Sequence, residues 1–277
     1  MKLKHLTILL HEGLANRIRV MASLYHLTQC GIGIKVIWQL NEELNCPFEK
    51  LFTPINGFHI INTSQRPKLY NTKQKNIIKK TVAKIYNTIK GFDYVIIGGY
   101  NNPDSSNTQL IQTIFDNYKN VFLETQQIIY EKQEYSIFKP IKEINDKITH
   151  SYSQAQPYIG IHIRRGDNII SQLKSGIIPF IEKTKMILQT NPEQKFYLAT
   201  DSRDVKDVFK YIFGTSIIIS DPDYSRNNET GIKDALFELF MLSKSQMIFG
   251  SYWSSFAETA ARLENIPIKT ILTNEII

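Results

Sequence analysis

A histidine, two adjacent arginines and an aspartate close an apolar run in the stretch YIGIHIRRGD, residues 158–167. The run itself has the pattern of a buried strand. Side chains alternate along a strand, so His162 and Arg164 share one face and Arg165 points to the other. A guanidinium is a rigid, permanently charged fork that suits a phosphate or diphosphate. The alternative is a structural salt bridge, in which Arg164 or Arg165 pairs with Asp167 or with an acid on a following helix.

A second polar group follows the first apolar run of the chain, in the stretch HEGLANRIR. Gly13 permits a sharp turn and the close approach of a ligand. Asn16 could cap a helix whose amide end favours an anion. Glu12 is either a general base at the mouth of a cleft or an ordinary turn residue. Arg17 and Arg19 add positive charge, with solvated helix surface as the alternative.

Two further stretches, FYLATDSRDV and SYWSSF, put polar residues where a strand ends and a helix begins. Asp201 follows the first of these strands. Ser251, Ser254 and Ser255 flank the start of the last predicted helix, where free backbone amides form an anion site. Helix capping alone is the alternative explanation for all four residues.

Short apolar strands alternate with helical patterns along the chain, which predicts an α/β fold with parallel sheets covered on both faces. We expect two doubly wound, Rossmann-like domains, 1–150 and 151–277, facing a cleft, with ligands beyond the carboxyl ends of the strands. The predicted strands are Leu6–Leu10, Lys35–Trp38, His59–Ile61, Tyr94–Ile97, Tyr158–Ile163, Lys195–Ala199, Ser216–Ile219, Met247–Phe249 and Ile268–Ile271. The predicted helices are Asn16–Gln29, Gln109–Tyr118, Gln126–Gln133, Pro140–Ser151, Pro179–Leu188, Ser202–Tyr211, Ile232–Ser243 and Ser255–Glu264.

Together these motifs resemble the fucosyltransferase superfamily. HIRRGD is similar to the HxRRGD of the α-1,2 group, and FYLATDS, IISD, FELFMLS and SYWSS are similar to the α-1,6 group. GLAN matches the GLxN of the first strand–helix turn, and the resemblance is dense over residues 158–262. It implies a GT-B-type fold, GDP-fucose as the donor substrate, inverting transfer, and no metal or other cofactor.

The resemblance also implies roles for individual residues. Arg164 would grip the diphosphate and stabilise the charge that develops on GDP. His162 would lie against the nucleoside, and Glu238 stands where the family has an aspartate that reads guanine. The positions implied or expected to bind the donor are Gly13, Asn16, His162, Arg165, Asp201, Glu238, Ser251, Ser254 and Ser255.

The acceptor chemistry is not carried over. Asn168 and Gln172 stand where the α-1,6 group has a lysine and a glutamate. Glu12 approximately matches a Glu-Gly placement in one protein O-fucosyltransferase branch. It is the first candidate for the base that takes the acceptor proton, and Asp167 is the second. The acceptor is a glycan or a protein.

Composition bounds the function classes. The chain has 277 residues, a formal net charge of +7 and two cysteines, which favours an anionic partner and a reducing compartment. We expect a cytoplasmic protein, since the first apolar run is too short for a signal peptide. The acidic pair in DPD, residues 221–223, is expected to form a turn rather than a metal site. Alternatives to fucosyl transfer are another GDP- or UDP-sugar donor, or a non-catalytic module that binds nucleic acid or anionic glycan.

Residues 68–90 contain no aspartate or glutamate and several lysines. Ile78, Val82, Ile85 and Ile89 share one helical face. Such a helix either packs this apolar face on its own domain or contacts an anionic membrane. Nucleic acid is not expected as a partner, because the lysines are not interleaved with stacking aromatic residues.

Overall fold

The computed structural model describes residues 1–73, 76–98, 105–155, 157–166 and 168–273, with backbone only at 105–108. Two compact α/β units are present. The first comprises Met1–Lys139 with Arg226–Glu229, and the second comprises Pro140–Ser225 with Thr230–Ile277. No helix in these ranges is both long enough and apolar enough to cross a bilayer.

The first unit contains a parallel five-stranded sheet in the order β3-β2-β1-β5-β4. Its central strand is buried along almost its whole length, as expected for a parallel sheet covered on both faces. The strands are β1 (His5–Leu10), β2 (Gly33–Gln39), β3 (Phe58–Thr63), β4 (Tyr94–Ile96) and β5 (Asn120–Glu124). The helices are α1 (Leu14–Gln29), α2 (Ile77–Ile89) and α3 (Ser105–Asn117), with a 3₁₀ turn at Phe48–Lys50.

The second unit contains a parallel five-stranded sheet in the order β10-β9-β6-β7-β8. All six residues of its central strand are buried. The strands are β6 (Tyr158–Ile163), β7 (Lys195–Thr200), β8 (Ile217–Ile219), β9 (Ile248–Gly250) and β10 (Ile268–Thr270). The helices are α4 (Lys142–Ala155), α5 (Ile169–Lys174), α6 (Ile177–Thr190), α7 (Arg203–Phe213), α8 (Glu229–Ser243) and α9 (Ser255–Leu263), with a 3₁₀ turn at Gly214–Ser216.

Every predicted strand is present to within two residues at each end. The predicted helix Gln126–Gln133 is wrong. This segment is irregular, and backbone amides in and beside it donate hydrogen bonds to α1 instead of forming a helix. The backbone amide of Ile129 donates to Ser23 Oγ at 3.2 Å, and that of Glu134 donates to the carbonyl of Ala22 at 3.0 Å. The strand β5 and the short helix α5 were not predicted.

The boundary between the compact units lies between Lys139 and Pro140, whereas the sequence predicted it after residue 150. The two boundaries differ because α4 packs in the second unit. Its Lys147 lies 2.9 Å from Asp234 and 4.5 Å from the ring centroid of Phe237, both on α8. The apolar positions of α4 are therefore part of the second core, as its buried Ile144 and Ile148 show.

Candidate functional site

Three neighbouring strands of the second unit end at one edge of the sheet, and most of the predicted site residues follow them. In the order β9-β6-β7, Ser251 follows β9, Arg164 follows β6 and Asp201 follows β7. This carboxyl edge is where parallel α/β sheets bind ligands. The sequence motifs that are far apart in the chain therefore meet.

Asp201 holds the loop that follows β6. Its Oδ1 accepts from the amide of Arg165 at 2.6 Å and its Oδ2 from the amide of Gly166 at 2.9 Å. A Cβ at Gly166 would lie 2.8 Å from Asp201 Oδ2, so a larger residue would push the carboxylate out of place. Asp201 thus shapes the loop, while Ser202 occupies the N-cap position of α7 without a side-chain cap.

The side chain of Arg165 turns towards α5. Its Nη2 donates to the carbonyl oxygen of Ser175 and its Nη1 to that of Gln172 at 3.5 Å. In return, Gln172 Nε2 donates to the carbonyl of Arg165 at 2.6 Å. Burial lowers the pKa of Arg165, and the charge of Asp201 opposes this. The guanidinium is thus bound to protein carbonyls at the end of the strand.

Arg164 is half-buried at the strand end. Its backbone amide donates to Ser251 Oγ at 3.0 Å, and the amide of Ser251 donates to the carbonyl of His162 at 3.1 Å. The serine therefore joins the ends of β6 and β9. This fixes the backbone from which the Arg164 guanidinium projects.

His162 is buried between β6 and the start of α9. Its ring stacks on Phe256 with centroids 5.0 Å apart, and its Nδ1 lies 3.1 Å from Ser254 Oγ. Ser254 Oγ accepts from the amide of Ala257 at 3.4 Å and so caps α9, which leaves its hydroxyl proton for Nδ1. Burial lowers the pKa of His162 to about 4; Asp201 opposes this shift and Arg164 adds to it. The imidazole is neutral at pH 7.

The neutral state of His162 predicts a loss of stability in mild acid. The imidazole takes up a proton near its usual pKa in the unfolded chain but only near pH 4 in the folded one. The unfolded state therefore binds more protons as pH falls from about 6.5 to 4, which removes roughly 2–3 kcal/mol of unfolding free energy. Urea unfolding at steps across this range checks it. His162→Asn, which does not titrate, should show a shallower fall; an equal fall contradicts the assignment.

The serine turn contains an unusual backbone conformation. Trp253 has φ 55°, in the left-handed region that bulky residues rarely adopt, and its side chain is 66% exposed. Strain of this kind gathers at functional sites. The turn leads directly into the N-terminus of α9 at Ser255. The sequence motif identified the serines, but nothing in it signals the exposed Trp253.

Glu238 forms a buried ion pair that the sequence did not reveal. Lys206 Nζ donates to its Oε1 at 2.6 Å, and Ser220 Oγ donates to the same oxygen at 2.6 Å. The exposed fractions of the Lys206 and Glu238 side chains are only 4% and 8%. Burial raises the pKa of Glu238, while the charge and hydrogen bond of Lys206 oppose this shift. Oε1 of Glu238 accepts both of these hydrogen bonds.

The first unit gathers charged residues at the carboxyl ends of β1 and β5. Glu124 is buried and accepts from Arg66 Nη2 at 2.5 and 2.6 Å and from His11 Nε2 at 3.0 Å. Burial alone would raise the pKa of Glu124, but the His11 and Arg66 contacts outweigh it and bring the pKa below its usual value. Glu12 is partly exposed, with its Oε1 3.6 Å from His11 Nδ1. The sequence identified Glu12 but not its neighbours.

The glycine turn differs from its expected role. Gly13, not Asn16, is the N-cap of α1, with φ −63° and no side-chain cap, so that part of the prediction is wrong. The space around Gly13 is open, since a Cβ there would meet nothing within 4 Å. The buried Oδ1 of Asn16 has no hydrogen-bond partner in the ranges that the structure describes. An open turn beside an unsatisfied acceptor suits a polar ligand.

Arg17 is not on a solvated surface. It is 1% exposed, and it donates to the carbonyls of Glu12 at 2.5 Å and Gln39 at 2.7 Å. Its guanidinium also lies 4.8 Å from the centroid of the Trp38 ring. Burial lowers the pKa of Arg17 to about 9, against the charges of Glu12 and Glu43. Arg17 thereby fixes the backbone of the turn that carries Glu12.

Two candidate features remain. Asp167 lies outside the described residues. Asp221 pairs with Arg203 at 3.2 Å, and among the described residues no three His, Cys, Asp or Glu side chains form a metal-binding group. A cavity of about 530 Å³ opens between α4, β8 and α8, but none of the predicted site residues lines it.

No protein-family model and no curated protein matches the chain. Solved structures do match it. The Bradyrhizobium α-1,6-fucosyltransferase NodZ, soaked with GDP-fucose, has a TM-score of 0.62 at 16% identity and covers 96% of this chain and 94% of its own. A variant of Arabidopsis thaliana FUT1 in complex with GDP has a TM-score of 0.59 at 16% identity, covering 97% and 70%. POFUT1 in complex with GDP has a TM-score of 0.54 at 11% identity, covering 98% and 99%.

These likenesses confirm the predicted fold, in which two Rossmann-like α/β units have the GT-B-like architecture of fucosyltransferase structures. At 11–16% identity they show the fold, and the resemblance to the fucosyltransferase superfamily rests on the sequence motifs. The cleft between the units stays a prediction, as do the roles of the individual residues.

Proposed function

We propose that this chain is a glycosyltransferase that binds GDP-fucose at the carboxyl edge of the second sheet and transfers fucose with inversion to a glycan or protein acceptor. The observation that carries the proposal is the meeting of Arg164, Ser251 and the N-terminus of α9 at one edge. Structures that share this fold were determined in complex with GDP or after soaking with GDP-fucose.

The donor diphosphate is assigned to Arg164 and to the first amides of α9. A guanidinium and a helix N-terminus both favour phosphate oxygens. As the bond from fucose to the diphosphate breaks, negative charge grows on the leaving GDP, and a preorganised guanidinium stabilises that charge. Ser254 is the N-cap of α9 and Ser255 is its first residue, so both lie at this end of the helix. In this assignment Arg165 and Asp201 do not touch the donor; they hold the Arg164 loop in place.

The nucleoside is assigned to His162 and Glu238. His162 is neutral and rigidly stacked, so it contributes packing and no second positive charge beside Arg164. Glu238 uses Oε1 for its contacts with Lys206 and Ser220. We assign its Oε2 to the two guanine N–H groups that a carboxylate can accept at once.

Acceptor activation is assigned to the first unit, with Glu12 as the base that takes the hydroxyl proton and Gly13 and Asn16 beside it. The buried Arg17 fixes the turn through the carbonyl of Glu12. His11 stands between Glu12 and the buried Glu124 and orients the pair. Asp167 remains the second candidate for the base.

Selective stabilisation by GDP tests the donor assignment. A ligand that binds only the folded state raises the melting temperature by mass action, and at about 100 times its dissociation constant the gain is about 2.7 kcal/mol. We expect GDP and GDP-fucose to raise the melting temperature, and UDP and a short DNA duplex to leave it unchanged. An equal or larger shift with UDP would replace the guanine assignment by another sugar nucleotide. A shift with DNA alone would support the non-catalytic alternative.

A further inference from the structure

The apolar face of α2 is exposed. Ile78, Val82, Ile85 and Ile89 have exposed fractions of 75%, 57%, 58% and 76%. They are spaced at i, i+4, i+7 and i+11 and therefore form one line along the helix. Of the two alternatives for this stripe, packing on its own domain is thus wrong.

The opposite face of α2 attaches the helix to the first unit. The buried residues of the helix are Ala83 and Asn87. Asn87 Oδ1 accepts from the amide of Tyr70 at 3.2 Å, and its Nδ2 donates to the carbonyl of Tyr70 at 2.6 Å. The rings of Tyr86 and Tyr70 add an edge contact with centroids 5.1 Å apart. The helix is therefore held by polar and aromatic contacts, and the four aliphatic side chains of the stripe take no part.

The charge around the stripe has one sign. Residues 68–90 contain no acidic residue, and six lysines are exposed along the described part of the segment. On a helical wheel, Lys79 and Lys90 fall on one side of the stripe and Lys84 on the other, whereas Lys80 falls on the face opposite the stripe.

We propose that α2 docks this protein on an anionic phospholipid surface, with the stripe of Ile78, Val82, Ile85 and Ile89 in the interfacial layer and the lysines at the headgroups. A helix of 13 residues is about 20 Å long, too short to cross a bilayer but suited to lie in its plane. Lysines on both sides complement anionic headgroups. The same lysines oppose the pairing of two copies of this helix, since like charges would face each other.

Vesicle co-sedimentation of the full chain tests the proposal. We expect binding to vesicles of phosphatidylcholine mixed with phosphatidylglycerol, weak binding to pure phosphatidylcholine, and release at high salt. The double variant Val82→Ser, Ile85→Ser should lower the partition coefficient at least about tenfold. Lys79→Ala with Lys84→Ala should lower it by a similar factor on anionic vesicles only.

Met186→Ser is the matched control, because Met186 lies on a helix of the second unit and is exposed to the same fraction as Ile85, 58%. It should bind vesicles like the wild type. All variants should keep the wild-type melting temperature and the shift with GDP, so that lipid binding and donor binding are measured separately. The proposal is overturned if the wild type ignores anionic vesicles or if the stripe variant binds equally well. It is also overturned if the stripe instead drives dimerisation. In that case the molecular mass in solution would rise with protein concentration in the wild type but not in the stripe variant.

Discussion

Arg164→Ala should lower the rate of GDP-fucose turnover by about 10²–10³-fold while the melting temperature stays within a few degrees of wild type. The charge on the departing diphosphate then lacks its guanidinium, whereas the backbone of the loop is still held by Ser251 and Asp201. Release of GDP, followed with the purified protein, measures the rate. Arg164→Lys should restore part of the activity, since an ammonium keeps the charge but loses the two-pronged geometry.

Arg165→Ala provides the contrasting variant. Its guanidinium donates to the carbonyls of Ser175 and Gln172, so its removal should lower the melting temperature and weaken activity through the loop. If Arg164→Ala melts the protein and Arg165→Ala leaves the fold intact but inactive, the two roles are exchanged. If Arg164→Ala keeps full activity, the proposed charge stabilisation is wrong.

Lys206→Met should destabilise the second unit by about 3–5 kcal/mol, because it leaves the Glu238 carboxylate buried without its counter-charge. The double variant Lys206→Met, Glu238→Leu should recover most of this loss, since apolar groups of similar size replace a buried ion pair at little cost. The midpoints of urea unfolding for the two single variants and the double variant measure the coupling energy.

The double variant also separates the structural role of Glu238 from its assigned role in guanine binding. If Glu238 accepts from the base, the stable double variant should lose most of its affinity for GDP. If the double variant is stable and binds GDP like the wild type, Glu238 serves only the ion pair. If the loss of stability in the double variant equals the sum of the losses in Lys206→Met and Glu238→Leu, the contact has no coupling energy.

The sequence was sufficient to predict all of the described strands except β5, and the edge at which the site residues gather. The strands of a buried parallel sheet are short continuous apolar runs, and the polar residues that follow them stand out, as in the RRGD after β6. What each polar side chain does at that edge depends on which strands are neighbours. The contact of Asp201 with the amides of Arg165 and Gly166 exists only because β7 pairs with β6.

The burial of Arg17, Lys206 and Glu238 was not predicted, because it also depends on partners that are distant in the sequence. Arg17 lies on a helix beside other charged positions, so helical spacing alone favours solvent, but carbonyls of Glu12 and Gln39 accept its hydrogen bonds inside the unit. Lys206 and Glu238 are 32 residues apart, and no local pattern couples them. The sequence left the α2 stripe open between two alternatives, since an amphipathic pattern shows that a helix has an apolar face but not whether anything covers it.

A crystal structure with GDP bound tests the central claim most directly. The account predicts that the diphosphate lies within hydrogen-bond distance of the Arg164 guanidinium and of the first amides of α9, with the guanine ring towards Glu238. Phosphates bound elsewhere, with Arg164 turned away from them, would contradict it.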